Sequence, residues 1–174
     1  MPTKSGNSKE ARHNLTIKTG EKIIVLGLGN TMFSDEGFGV EVVREIGNKH
    51  DFPPNVEIID GGTQGIYLLP YFESADRLLI FDALIPIEYE LKIYEYFDDE
   101  LPAFIHRKLS SHQIGLSELL SVAKLHGKLP ERIVLIGVPP QELGMNVGLS
   151  SKIKQLLPLA AKNGIKVINK WLNE

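Results

Sequence analysis

The chain contains no cysteine, and this absence excludes several kinds of site at once. Without thiols the protein forms no disulfide, no zinc–thiolate or iron–sulfur centre, and has no thiol nucleophile. Charge of one sign is not in excess either, since 19 basic and 22 acidic residues give a net charge of −3. So weak a field offers little attraction for nucleic acid or an anionic membrane, and we expect neither as a partner.

Long apolar runs are also missing, because no run approaches the roughly 18 residues that cross a bilayer. Residues 1–20 contain no hydrophobic signal core, so we expect a cytoplasmic protein. The same residues are polar and have no apolar period, which predicts a flexible tail. The remaining residues, 21–174, are long enough for one domain with a substantial core.

The most informative stretch that is present joins an apolar run at 23–26 to a glycine turn at 27–30 and an acidic pair, Asp35 and Glu36. Beyond the pair the apolar residues follow a 3.6-residue period, which is typical of a strand that leads into a helix. Ser34 is expected to cap this helix, which would place both acids in its first turn. Acids in a first turn also have an ordinary explanation, because they complement the helix dipole.

Strands and helices alternate along the rest of the chain. Further strands are predicted at 56–59, 78–81, 91–97 and 133–138, and further helices at 65–72, from 110–113 onward, and from Ser150 or Ser151 to about 171. Residues 91–97 alternate apolar and charged side chains, which predicts an edge strand, and their spacing suits a hairpin-like return from the strand before them. We therefore expect an α/β three-layer sandwich, with a mostly parallel twisted sheet of about five strands and helices on both faces.

The glycine turn suggests one alternative function. Gly27 and Gly29 begin like a dinucleotide-binding fingerprint, and Asp60 ends the second strand, where a ribose-binding acid would stand. Met32, however, occupies the place of the third glycine, and the acidic pair would repel a pyrophosphate. A nucleotide-binding α/β domain is therefore the weaker alternative.

Two acids and one imidazole are candidates for a metal site at the carboxyl edge of the sheet. Glu36 follows the first strand and Asp82 ends the third, and these strands should be neighbours if the first is central. His112 opens a helix, where a neutral imidazole is favoured. Two oxygens and one nitrogen would leave coordination positions free on the metal, which is typical of an exchangeable site. The sequence contains no HExxH motif, so it does not indicate an ordinary zinc protease. Each residue also has the simpler explanation of a cap or a satisfied polar group.

The turn after the second strand is a candidate for substrate binding. Gly61, Gly62 and Thr63 would let the backbone approach a ligand closely. A tight strand-to-helix turn would explain the same residues equally well.

Four segments together resemble a known family. They are, in chain order, VLGLGNTMFSDEGFGVEVV, IIDGGTQG, IFDALI and SSHQIG. In this order and spacing they closely resemble the nickel–iron hydrogenase maturation endopeptidases, over roughly residues 22–171. The resemblance implies a cytoplasmic α/β endopeptidase that cuts a C-terminal extension from the hydrogenase large-subunit precursor after nickel insertion. It places the family's metal ligands on Glu36, Asp82 and His112.

The resemblance also implies that the nickel is carried by the substrate, and that zinc or cadmium could replace it in a crystal. Asp35 and Asp60 are candidates for catalytic-base or supporting roles, and water activation by metal or by carboxylate, as in an aspartyl protease, is left open. We expect a monomer. The remaining alternative is a non-catalytic chaperone that recognises nickel in the precursor.

Overall fold

The computed structural model describes residues 20–86, 88–101 and 115–174, which form a five-stranded sheet between two layers of helices. The strands are β1 (Ile23–Leu28), β2 (Val56–Gly62), β3 (Arg77–Ala83), β4 (Tyr94–Phe97) and β5 (Arg132–Val138). The helices are α1 (Phe38–Lys49), α2 (Leu69–Ser74), α3 (Leu116–Leu125) and α4 (Ser151–Leu172), with 3₁₀ turns at Ser34–Gly37, Gly65–Leu68 and Asp98–Glu100. The predicted three-layer α/β sandwich is therefore confirmed. The predicted tail, apart from Gly20, and the start of the helix predicted from 110–113 lie outside the described residues.

The sheet has the strand order β2-β1-β3-β5-β4, and β1, β2, β3 and β5 are parallel. Continuous apolar runs form its centre because both faces of a parallel sheet are covered by helices. Alternate residues of β1 enter opposite layers: Ile23 and Val25 pack with α1 and α4, while Ile24 and Leu26 pack with α2 and α3. Among the described residues, no helix combines the length and apolar character that crossing a membrane requires.

The edge strand is present, but its predicted partner is wrong. β4 runs antiparallel to β5, with Tyr94 opposite Gly137, and it does not return along β3. Both sides of β3 are already occupied by β1 and β5. A strand whose side chains alternate between partly buried and exposed fits only at the outer edge, where β5 still has free backbone groups.

Candidate active site

Helix α1 begins directly against the carboxyl ends of β1 and β3. A Cβ atom on Gly39 would lie 2.1 Å from the carbonyl oxygen of Phe81 and 2.4 Å from that of Leu28, so the contact requires glycine. Gly29 has a φ of +128°, and a Cβ atom there would lie 1.8 Å from the carbonyl oxygen of Glu36. These close contacts bring the turn before α1 onto the edge of the sheet.

The acidic pair lies in the 3₁₀ turn before α1 and not in the first turn of that helix. The predicted cap role of Ser34 is therefore wrong. The N-cap position of α1 is Gly37, while the Ser34 hydroxyl donates a hydrogen bond to the carbonyl of Gly148 at 3.3 Å. Ser34 has a φ of +48°, a strained conformation for a residue with a side chain. Contacts with the distant segment at 141–150 hold it there, and local spacing does not reveal them.

Glu36 and Asp82 converge at this edge, as expected from the adjacency of β1 and β3. The pKa of Asp82 is raised to about 7, chiefly because the group is buried; a hydrogen bond from the backbone N–H of Ala83 acts to lower this pKa, and the nearby charge of Glu36 acts to raise it. Burial also raises the pKa of Glu36. Because one carboxylate perturbs the other only at short range, the two acids share one environment. Such a pair favours a proton or a cation between its members.

Asp35 is fully buried, and its carboxylate holds the segment after β5 in place. Oδ1 accepts a hydrogen bond from the backbone N–H of Ser150 at 2.7 Å. Oδ2 accepts three more at 2.8 Å, from the backbone N–H groups of Gln141 and Glu142 and from the Ser150 hydroxyl. Ser150 occupies the N-cap position of α4, as predicted, but its hydroxyl bonds Asp35 and not the helix. Asp35 thus stabilises the loop, and its predicted catalytic role stays a prediction.

The turn after β2 lies beside β1 at the same edge of the sheet. Asp60 is exposed, and its Oδ2 accepts hydrogen bonds from Arg44 of α1, at 2.8 Å from Nη2 and 3.1 Å from Nε. A Cβ atom on Gly61 would lie 2.8 Å from a leucine methyl group of β1, and Gly62 has a φ of +49°. Packing against β1 therefore explains Gly61, and the left-handed backbone conformation explains Gly62. The catalytic role of Asp60 and the substrate-binding role of Gly61, Gly62 and Thr63 stay predictions.

Residues 40–167 match the family model of the hydrogenase maturation proteases. The chain belongs to the hydrogenase maturation protease family. The protease is 46% identical over 132 residues to the hydrogenase expression/formation protein HupD of Bradyrhizobium diazoefficiens, covering 74% of this chain and 67% of that protein. It is 35% identical over 137 residues to the hydrogenase 2 maturation protease of Escherichia coli, covering 78% and 84%. Its fold matches the solved structure of the Escherichia coli hydrogenase maturating endopeptidase HybD with a TM-score of 0.80 and 33% identity, over 86% of this chain and 93% of that one.

Family membership confirms the resemblance found in the sequence and makes the protein an endopeptidase. The nucleotide-binding alternative receives no support from the glycine turn of the protease. A Cβ atom on Gly27 would lie 2.3 Å from the carbonyl oxygen of Gly39, and the space beside Gly29 is filled by the backbone of Glu36. These glycines therefore serve the packing of α1.

The third predicted ligand of the protease, His112, lies outside the described residues, so the complete trio stays a prediction. Within residues 20–86, 88–101 and 115–174, no three His, Asp or Glu side chains are grouped to hold a metal ion. Glu36 and Asp82 stand there as a pair, which is the part of the predicted site that the structure brings together.

The part played by residues 141–150 is missed by sequence reasoning, which identifies this segment only as a loop before α4. In the structure it pairs with the turn after β1. The N–H of Asn146 donates to the carbonyl of Met32 at 3.0 Å, and the N–H of Ser34 donates to the carbonyl of Asn146 at 2.8 Å. One usable indication exists, because the segment follows β5 and so begins at the same carboxyl edge as the turns after β1 and β3.

Proposed function

We propose that this protease removes the C-terminal extension from the large-subunit precursor of a [NiFe] hydrogenase after nickel insertion, and that Glu36, Asp82 and His112 recognise the nickel in the precursor. Three observations support the proposal: the family, the names of the relatives, and the convergence of two acids at the carboxyl edge of the sheet. The convergence of Glu36 with Asp82 is the observation that carries it.

The chemistry of the acids suits a cation that arrives with the substrate. Asp82, with a pKa of about 7, holds a proton for much of the time at neutral pH because burial and the charge of Glu36 disfavour its ionisation. A divalent ion replaces that proton and compensates both carboxylates. The two oxygens and the ring nitrogen of His112 form a mixed set of ligands that suits nickel and leaves positions for ligands from the precursor.

The same electrostatics explain why nickel would be required. A precursor that lacks nickel brings no positive charge to the acidic pair, so the pair stays partly protonated and offers it little attraction. With nickel present, the acids hold the precursor and place the bond to be cut beside them. The attacking water is then activated by the metal or by a carboxylate.

The proposal is tested by incubating nickel-loaded and nickel-free precursor side by side with the protease and following the size of the large subunit on a gel. We expect a shorter product from the nickel-loaded precursor alone. Glu36→Gln and Asp82→Asn should keep the wild-type circular dichroism spectrum but lower the rate of processing by about 100-fold or more, because each removes a charge that binds the metal.

Glu45→Gln is a matched control, since Glu45 lies on α1 and pairs with Lys49 at the surface. A surface pair of this kind contributes little, so processing should be unchanged. Wild-type rates in both site variants would overturn the assignment of the site. A stable complex with nickel-loaded precursor that never yields a shorter product would instead indicate a chaperone.

A further inference from the structure

Two loops at the carboxyl edge of the sheet expose large apolar side chains. The exposed fraction is 58% for Met32, 49% for Leu143, 76% for Met145 and 81% for Val147. Met32 follows β1 and the other three follow β5, and the hydrogen bond from the N–H of Asn146 to the carbonyl of Met32 joins the two loops. We call these four side chains the apolar rim.

The apolar rim is held in a fixed position although its side chains are exposed. The buried carboxylate of Asp35 binds Gln141, Glu142 and Ser150, and so fixes both ends of the loop that carries three of the four side chains. Pro139, which precedes the loop, is buried. A partner therefore binds a preformed surface and does not have to order the loop first, which lowers the entropic cost of binding.

The position of the apolar rim identifies its partner. Met32 precedes Glu36 by four residues, and the N–H of Glu36 donates to the carbonyl of Phe33, the neighbour of Met32, at 3.1 Å. The rim therefore begins next to the acidic pair, within reach of a polypeptide whose scissile bond lies there. Grouped exposed apolar side chains mark binding surfaces, and methionine adapts its shape to different apolar partners. Leu125, another exposed apolar residue, instead ends α3, the helix that leads to the opposite edge where β5 begins.

We infer that the apolar rim binds an apolar stretch of the precursor polypeptide next to the bond that is cut. This inference rests on the proposed function, because it requires a polypeptide substrate at the acidic pair. Apolar side chains on that stretch would leave water on contact with the rim, and this burial would stabilise the complex. The rim thereby contributes to the choice of cleavage site, while the acidic pair recognises the metal.

The kinetic test replaces two exposed side chains, in the double variant Met145→Ser with Val147→Ser. Both are exposed, so the fold should be kept. We expect the KM for nickel-loaded precursor to rise about tenfold with little change in kcat, because binding is weakened and the reacting groups are untouched. Leu125→Ser is the matched control, since Leu125 is 84% exposed and lies away from the site. Its KM should stay at the wild-type value.

Binding is observed directly through the methionines. The chain has three, and besides Met1 both others, Met32 and Met145, belong to the apolar rim. In protein labelled with ¹³C at the methionine methyl groups, their NMR signals should shift or broaden when nickel-loaded precursor is added to the wild-type protease at a temperature low enough to slow processing.

The outcomes separate the two proposals. Two results would show that the apolar rim is not the docking surface while the proposed function stands. In the first, the wild type processes the precursor and the double variant keeps the wild-type KM. In the second, the wild type processes the precursor but the signals of Met32 and Met145 stay unchanged in a complex shown by gel filtration. If the wild type gives no shorter product, both proposals fall. Self-association of the free protease that the double variant abolishes would show that a second copy covers the rim, and would also overturn the inference.

Discussion

Helix α1 contains two glycines whose replacement by alanine should have opposite effects on stability. A Cβ atom on Gly39 would lie 2.1 Å from the carbonyl oxygen of Phe81 and 2.4 Å from that of Leu28, and both are backbone atoms that cannot rotate away. A Cβ atom on Gly47 would meet only a methyl group of Ile58, at an ordinary contact distance of 3.8 Å. The same substitution on one helix therefore separates steric overlap from helix propensity.

The magnitudes follow from these contacts. Alanine is more favourable than glycine in a helix by about 1 kcal/mol, so Gly47→Ala should stabilise the protein by up to that amount. Overpacking costs about 1–3 kcal/mol, and we expect about 3 kcal/mol at Gly39 because two carbonyl groups are overlapped. In a protein of this size 1 kcal/mol changes the unfolding temperature by about 3 °C, so Gly39→Ala should unfold about 9 °C below the wild type and Gly47→Ala about 3 °C above it.

Thermal unfolding followed by circular dichroism measures both variants against the wild type. Processing should fall in Gly39→Ala even at temperatures where it is folded, because a displaced start of α1 also moves Glu36 away from Asp82. Processing by Gly47→Ala should match the wild type. An unfolding temperature for Gly39→Ala at or above that of Gly47→Ala would refute this reasoning.

Three further predictions concern the acids. Asp35→Ala removes four hydrogen bonds and leaves the donors of Ser150 buried without an acceptor. The free energy of unfolding in urea should therefore fall by about 3–4 kcal/mol. A loss below about 1 kcal/mol would contradict the structural role given to Asp35. Asp60→Asn weakens only a surface ion pair with Arg44 and should change the free energy of unfolding by less than about 1 kcal/mol; loss of processing at that stability would support the catalytic role predicted for Asp60. Because burial raises the pKa of Asp82 from 3.8 to about 7, the folded protein retains a proton that the unfolded chain releases between these values. This stabilisation, about 4 kcal/mol, is fully present below about pH 4 and is lost as the pH rises through 7. Urea unfolding in the presence of a chelator should therefore show that the free energy of unfolding falls as the pH rises from about 4 to 7, and that this fall is smaller in Asp82→Asn. Identical pH profiles for the two proteins would contradict the shifted pKa.

The site was predictable where it depends on strand ends. Glu36 and Asp82 follow apolar runs that are recognisable as buried strands, and the adjacency of β1 and β3 brings them together. The role of Asp35 was not predictable, because its hydrogen-bond partners lie more than 100 residues away in sequence. An acid in an exposed first turn and an acid buried under a distant loop have the same local pattern.

The sequence by itself determined the layers of this protein, since apolar runs at 23–26, 78–81 and 133–138 have to be covered by helices on both faces. It also determined the family, through four motifs that retain their order and spacing. Only the tertiary structure decided which edge receives β4 and which acid is buried as an anchor for residues 141–150. The placement of β4 and the burial of Asp35 both depend on hydrogen-bond partners that are distant in sequence and become neighbours only in the folded protein. A local pattern of side chains does not identify such partners.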